Sequence, residues 1–315
     1  MTKQTSLQKI NLYLLLFLLL ISAVPLAAWM GAAQNAPAEE KKRPPVIRVD
    51  VDLVVVKVTV TDPLNRYVTG LSPEHFTLYE DRVEQKITHF TQENAPVSLG
   101  VVFDSSGSMK EHIGSAKNSV MHFLQNGNRE DEFFLVAFNH QTALIQDFTR
   151  DATNVQNQVA FRSAGGRTAL YDAVYLGLEK MNQATHEKKA LIVITDGEDN
   201  SSRYSFSEVR DFSKELDVQI YAIGERGKLG YGTSIIQDLV SITGGRSFFP
   251  MSFSELDYYC DLIHAELRKQ YVLGFSSTNK VRDGKWRKLK VKLNPPEGLP
   301  KLMVRTKEGY YAPKS

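Results

Sequence analysis

The chain has 315 residues, 42% of them hydrophobic and 23% charged, the proportions of a folded globular protein with a sizeable core. Thirty-eight Lys and Arg against 36 Asp and Glu leave a net charge of +2, so no global electrostatic drive toward nucleic acid exists. A single cysteine, Cys260, excludes an intramolecular disulfide and every multi-thiolate zinc or iron–sulfur site.

Lys3 and Lys9 precede a nearly uninterrupted apolar run from Ile10 to Met30, and the small residues Gly31-Ala32-Ala33 follow. A charged start, a hydrophobic centre and a small-residue exit read as a secretory signal over 1–33. The run is also long enough to span a bilayer if it stays uncleaved, so an anchor at 10–30 is the other reading. Residues 34–45, rich in Ala, Pro, Glu and Lys, read as a disordered tether. The chain is expected to work outside the cytoplasm: periplasmic, secreted, or held at the inner membrane by this segment alone.

The remainder divides into β, α/β and β portions at 46–95, 96–270 and 271–315. In the first, Val49–Thr61 is dominated by Val with interspersed Asp, Lys and Thr, and short strands are predicted at Thr77–Tyr79 and Lys86–Thr88. In the second, apolar runs at Ser98–Phe103, Phe133–Phe138, Ala190–Thr195 and Val218–Ile223 are separated by helical patterns. Ile113, Ala116, Val120, Phe123 and Leu124 mark one helix, and Leu170, Ala173, Val174, Leu178 and Met181 another. Ser205 and Glu208 form a capping box before Val209 and Phe212, and Leu256, Cys260, Ile263 and Leu267 mark the last helix. Such alternation builds a doubly wound, mostly parallel sheet covered on both faces. Only Asn139–Gln141 separates Phe133–Phe138 from Thr142–Phe148, too short for a helical crossover, which predicts a hairpin with one antiparallel strand.

After Gln270 strands are predicted at Tyr271–Phe275, Arg287–Leu293, Leu302–Thr306 and Gly309–Ala312. Lys288, Lys290 and Lys292 alternate with Leu289, Val291 and Leu293, giving a wet face and a buried face. Lys280–Lys314 holds eleven bases and three acids, either a solvated strand face or a contact surface for anionic polymer or lipid headgroups. Neither β flank is long enough to hold a core alone. The economical solution is one discontinuous β-sandwich with the α/β domain inserted in it.

One constellation carries chemistry. Val101-Val102-Phe103 runs into Asp104-Ser105-Ser106-Gly107-Ser108, at the carboxyl end of a buried strand, where open α/β sheets place their ligands. Gly165-Gly166-Arg167-Thr168 brings a hydroxyl to a helix start, and Ile194-Thr195-Asp196-Gly197 ends a second buried strand in a carboxylate. Asp104, Ser106, Ser108, Thr168 and Asp196 are all hard oxygen donors, which suit Mg²⁺, Mn²⁺ or Ca²⁺ and disfavour zinc or copper. Five protein oxygens, some acting through water, leave room in an octahedral shell for an outside ligand.

The Asp104/Ser106/Ser108 turn, Thr168 after paired glycines and the Thr195-Asp196-Gly197 strand end resemble the metal-ion-dependent adhesion site of von Willebrand factor type A domains over roughly 96–270. The flanks, with Thr69-Gly70-Leu71, Leu78-Tyr79-Glu80-Asp81 and Gly309-Tyr310-Tyr311-Ala312, resemble exported bacterial proteins common in acidobacteria. The resemblance implies a Rossmann-like domain that holds a divalent cation, Mg²⁺ above all, and binds protein.

Three functions compete. The first is a metal-dependent adhesion or assembly module. A cation held mostly by neutral hydroxyls keeps much of its charge and attracts an Asp or Glu carboxylate of a partner protein. The second is an envelope factor binding through its β segments, with the metal only stabilising. The third is a hydrolase using Ser106, Ser108 or a metal-bound water, but no His can be placed at the rim as a base, so the chain is expected not to be an enzyme. Asp172 lies one turn after Thr168, either behind the metal or as an ordinary exposed or capping acid. Glu198, Asp199 and Asn200 follow Asp196, either shaping the rim or forming a solvated loop, while His140 reads as a turn residue and Cys260 as a buried, inert thiol.

Overall fold

A computed structural model describes residues 53–92, 94–196, 198–224 and 232–314. The signal or anchor at 1–33, the tether at 34–45, the strand's first residues before Leu53 and Gly197 lie outside the described residues.

The chain enters through β1 (Leu53–Thr61), β2 (Phe76–Glu80), β3 (Val83–Gln85) and β4 (Ile87–Thr91). The α/β portion runs β5 (Val97–Asp104), α1 (Ile113–Gln125), β6 (Glu132–Phe138), β7 (Thr142–Thr149), α2 (Ala152–Ala160), α3 (Leu170–Met181) and β8 (Lys188–Ile194). It continues through α4 (Phe206–Glu215), β9 (Gln219–Ile223), α5 (Gly232–Thr243), β10 (Ser247–Phe248) and α6 (Leu256–Lys269). The exit is β11 (Tyr271–Ser276), β12 (Trp286–Leu293), β13 (Met303–Arg305) and β14 (Gly309–Tyr311).

The central six-stranded sheet has the order β10-β9-β8-β5-β6-β7. Its pairs are parallel except β6–β7, the hairpin that the three-residue connection required. β5, at the middle, is buried along its whole length, as a strand covered on both faces must be. Its side chains alternate. Leu99, Val101 and Phe103 pack with Phe123 of α1 and with Leu256, Cys260 and Ile263 of α6. Val102 packs on the other face with Val174 of α3, Val209 of α4 and Leu239 of α5. Ser205 caps α4 with the reciprocal Glu208 bond.

The flanks share one core. Two four-stranded antiparallel sheets, β13-β1-β11-β4 and β14-β12-β2-β3, each draw strands from both ends of the chain. Val56, Val58 and Val60 of β1 pack in the same cluster as Leu289 and Val291 of β12, while Lys288, Lys290 and Lys292 stay exposed. Phe76, Phe90 and Tyr271 fill the middle with ring centroids 5.0–5.8 Å apart. A buried Arg287–Glu80 ion pair at 3.2 Å is closed by the Tyr310 hydroxyl, which donates to Glu80 at 3.0 Å.

Two local expectations differ from the structure. The strand predicted at Lys86–Thr88 begins one residue later, at Ile87, and runs on to Thr91. β3 returns on β2 after Asp81 and Arg82, both at positive φ, and the chain then crosses at Lys86 so that β4 joins β11 in the opposite sheet. The sequence pattern also passed over α2 and α5. In α2 only Val155 and Val159 are buried, and Asp151 starts it by accepting from the Thr153 amide. Among the described residues no helix is long and apolar enough to cross a membrane.

Candidate functional site

β5 and β8 are neighbours in the sheet, with Phe103 opposite Ile194, so their carboxyl ends deliver Asp104 and Asp196 to one rim. Asp104 is fully buried. Its Oδ1 accepts from the Ser106 amide at 2.7 Å, which folds the Asp-x-Ser turn back on itself. Its Oδ2 accepts from the Thr195 hydroxyl at 2.5 Å. Ser106 and Ser108 share a hydrogen bond at 3.0 Å, and Ser108 Oγ donates to Asp196 Oδ1 at 2.7 Å. A hydroxyl has one proton to give, and that of Ser108 goes to Asp196, so Ser106 is the donor in the shared bond.

Thr168 reaches the same rim through backbone stitches. The Gly165 amide donates to Ser105 O and the Gly107 amide to Gly166 O, each at 2.9 Å. Gly166 sits at φ +85° and a Cβ there would lie 2.5 Å from His140 Nδ1, so glycine is needed at that place, while a Cβ on Gly107 would lie a tight 3.3 Å from Gly166 O. Thr168 itself is buried at the start of α3. Asp104, Ser106, Ser108 and Asp196 are linked by hydrogen bonds, and the loop that precedes Thr168 is stitched to the Ser105–Gly107 turn.

The electrostatics favour a cation. Burial pushes the Asp104 carboxyl up to about 6, with the Asp196 charge adding to the rise, although bonds from Thr195 and Ser106 oppose it. Asp196 Oδ2 is buried and has no hydrogen-bond partner. A desolvated carboxylate oxygen left unpaired costs about 1–3 kcal/mol or more. A donor from outside the chain would satisfy this atom, and two carboxylates among hydroxyls are a donor set that fits a hard divalent ion. Among the described residues no group of three or more His, Cys, Asp or Glu side chains is placed to hold a metal ion.

In the loop after β8, Asn200 shapes the rim rather than standing as solvated loop. Asn200 is a clamp: its amide donates to Thr168 O and its Oδ1 accepts from the Thr168 amide, both at 2.9 Å. Asp199 accepts from the Tyr171 amide at 3.3 Å. Asp172 is neither an exposed acid nor aimed at the rim. It is buried and accepts from the Arg203 and Tyr204 amides at 2.8 and 3.0 Å, which fixes the far end of this loop. Thr195 was legible in principle, since one step beyond the Phe103–Ile194 pair it must stand beside Asp104.

The family model described as the von Willebrand factor type A domain matches residues 99–259, just over half of the 315-residue chain. The chain belongs to the von Willebrand factor type A domain family. Among curated proteins it is 24% identical over 180 residues to human von Willebrand factor A domain-containing protein 3A, covering 55% of this chain and 14% of that one. It is 24% identical over 151 residues to an uncharacterized protein of Borreliella burgdorferi, covering 45% of this chain and 43% of that one. The type A chain therefore spans less than half the length of either relative. Of solved structures, a von Willebrand factor type A protein from Catenulispora acidiphila aligns with a TM-score of 0.49 at 11% identity, covering 82% of this chain and 73% of that one. The PilB minor pilin of Streptococcus sanguinis aligns at 0.46 and 16% identity, covering 56% and 62%.

Proposed function

We propose that the type A domain is an exported, metal-dependent protein-binding module of the adhesion or envelope-assembly kind. Asp104, Ser106, Ser108, Thr168 and Asp196 would hold one divalent cation, Mg²⁺ first and Mn²⁺ or Ca²⁺ next. The observation that carries the reading is the buried, unpartnered Oδ2 of Asp196 beside the Ser106–Ser108 hydroxyl chain. When bound, the ion supplies positive charge that two carboxylates shared with neutral hydroxyls leave incompletely screened, and this attracts an Asp or Glu carboxylate of a partner protein. The chain's own residues do the rest. Thr195 and the Ser106 amide fix both Asp104 oxygens, and Asn200 with the Gly165–Gly107 stitches holds the rim rigid. Export rests on the Lys3, Lys9 and Ile10–Met30 pattern, with either cleavage near Gln34 or retention as an anchor.

The test is capture of partners from a cell-envelope extract by the immobilised chain in magnesium, in EDTA, and with Asp104→Ala in magnesium. The reading requires a partner retained only by the unaltered chain in magnesium. A partner retained equally in all three would move binding to the β-sandwich.

A further inference from the structure

Phe161, the residue after α2, is 89% exposed, the most exposed large apolar side chain among the described residues. It stands beside the rim. With Ser105, Asn139, Gln158, Arg162 and Ser163 it lines a cleft of about 340 Å³. Ser105 is the residue between Asp104 and Ser106, so the cleft opens from the same turn that builds the candidate metal centre.

The walls of the cleft are fixed. Ser105 Oγ donates to Phe138 O at 2.8 Å, and the Asn139 Oδ1 accepts from the Gln141 amide at 3.0 Å. Lys117 Nζ donates to Ala160 O at 2.7 Å, and the Arg162 amide bonds Val159 O at 3.1 Å, which hold the end of α2 in place. The charge is one-sided. Arg162 is half-buried, no side-chain bond or ion pair engages its guanidinium among the described residues, and no carboxylate lines the cleft. The neighbouring Arg167 differs, since its guanidinium donates to Asn200 O. The volume is at the small end for ligand pockets and suits one side chain rather than a cofactor.

We propose that this cleft is the second contact point for the partner: a polypeptide segment carrying two acidic side chains, one for the metal centre and one that enters the cleft and pairs with Arg162, with the Phe161 ring covering the segment. The inference rests on the reading of the Asp104–Asp196 rim as a carboxylate-capturing centre. Guanidinium is a fork of donors matched to carboxylate, and an aromatic ring is the usual anchor at a protein contact. An extended segment turns alternate side chains to the same side, so two acids two residues apart can face the rim and the cleft together.

Fluorescence anisotropy of the full chain in Mg²⁺ tests this with three labelled Gly/Ser peptides: one with a single Asp, and two with a Glu placed two residues before or after it. One of the two-acid peptides is expected to bind about 3–5-fold tighter than the single-acid peptide. That advantage disappears in Arg162→Gln, and Phe161→Ala weakens binding at least about fivefold. Thermal melting of both variants reports whether their fold is kept. A two-acid peptide with no advantage, or an advantage that survives Arg162→Gln, overturns the cleft assignment and leaves the metal-centre reading standing. Absence of magnesium-dependent binding by all three peptides overturns both.

Discussion

Arg305→Met should destabilise the α/β domain although Arg305 belongs to the β-sandwich. Glu266 of α6 is fully buried at the junction of the two. It accepts from the Tyr221 hydroxyl of β9 at 3.0 Å and from Thr59 Oγ1 of β1 at 3.2 Å, and it forms an ion pair with Arg305 of β13. Tyr67 OH lies 3.4 Å away but donates to Leu262 O at 2.9 Å. Burial and the Glu266 charge push the Tyr221 phenol up, so it remains a protonated donor. Removing Arg305 therefore leaves a buried carboxylate with neutral donors and no counter-charge, a loss of about 3–5 kcal/mol. For a chain of this size that lowers Tm by about 10 °C. Glu266→Gln in the same chain removes the stranded charge, so the double variant should recover most of the loss. Thermal and urea unfolding of the four proteins of this cycle measure it. A cost under about 1 kcal/mol for Arg305→Met, or no recovery in the double variant, would show that the charge pair does not couple the two parts.

Three further outcomes are expected. The Asp104 carboxyl titrates near 6 rather than near its ordinary 3.8, so the folded state binds its proton more tightly than the unfolded state does. In metal-free protein this group should withdraw of order 3 kcal/mol of stability as pH rises from about 4 to 7, and Asp104→Asn should flatten that part of the pH–Tm profile. Cys260 is buried in the α6 core and its thiol pKa is raised by desolvation, so Ellman's reagent should react only at the rate of unfolding; fast labelling in native buffer would contradict this. Deleting residues 271–315 removes the β11 and β12 partners of β1 and β2 together with Arg305, so hydrogen exchange should accelerate in the N-terminal strands and also in α6. Unchanged α6 protection would show that the α/β unit stands alone.

The sequence made legible those features that repeat or that chemistry constrains. Runs such as Ser98–Phe103 had to be central strands because they are short, mostly apolar and carry no charge. The three-residue Asn139–Gln141 link forced the antiparallel turn, and two flanks too short for separate cores had to share one. The Asp104 turn and the Asp196 strand end were visible because their spacing fixes their direction. What escaped depends on partners distant in sequence. Nothing local to Asn200 or Asp172 says that each spends its side chain on backbone amides some 30 positions away. Lys86 looks like the first residue of a strand, but it is the crossing point between β3 and β4, which belong to different sheets. α2 buries only Val155 and Val159, too few points for a helical period to stand out. Arg162 and Phe161 carry no pattern at all, and their placement beside the rim comes from the loop stitched to Ser105.

The most direct measurement is isothermal titration of Mg²⁺ and Mn²⁺ into the metal-depleted full chain, beside Asp196→Ala and Asp104→Ala. The expected result is one site per chain with a matching rise in Tm, absent from both variants. Titrations with no heat and no Tm shift at millimolar metal, or binding that persists in Asp196→Ala, would contradict the assignment of these residues to a metal centre.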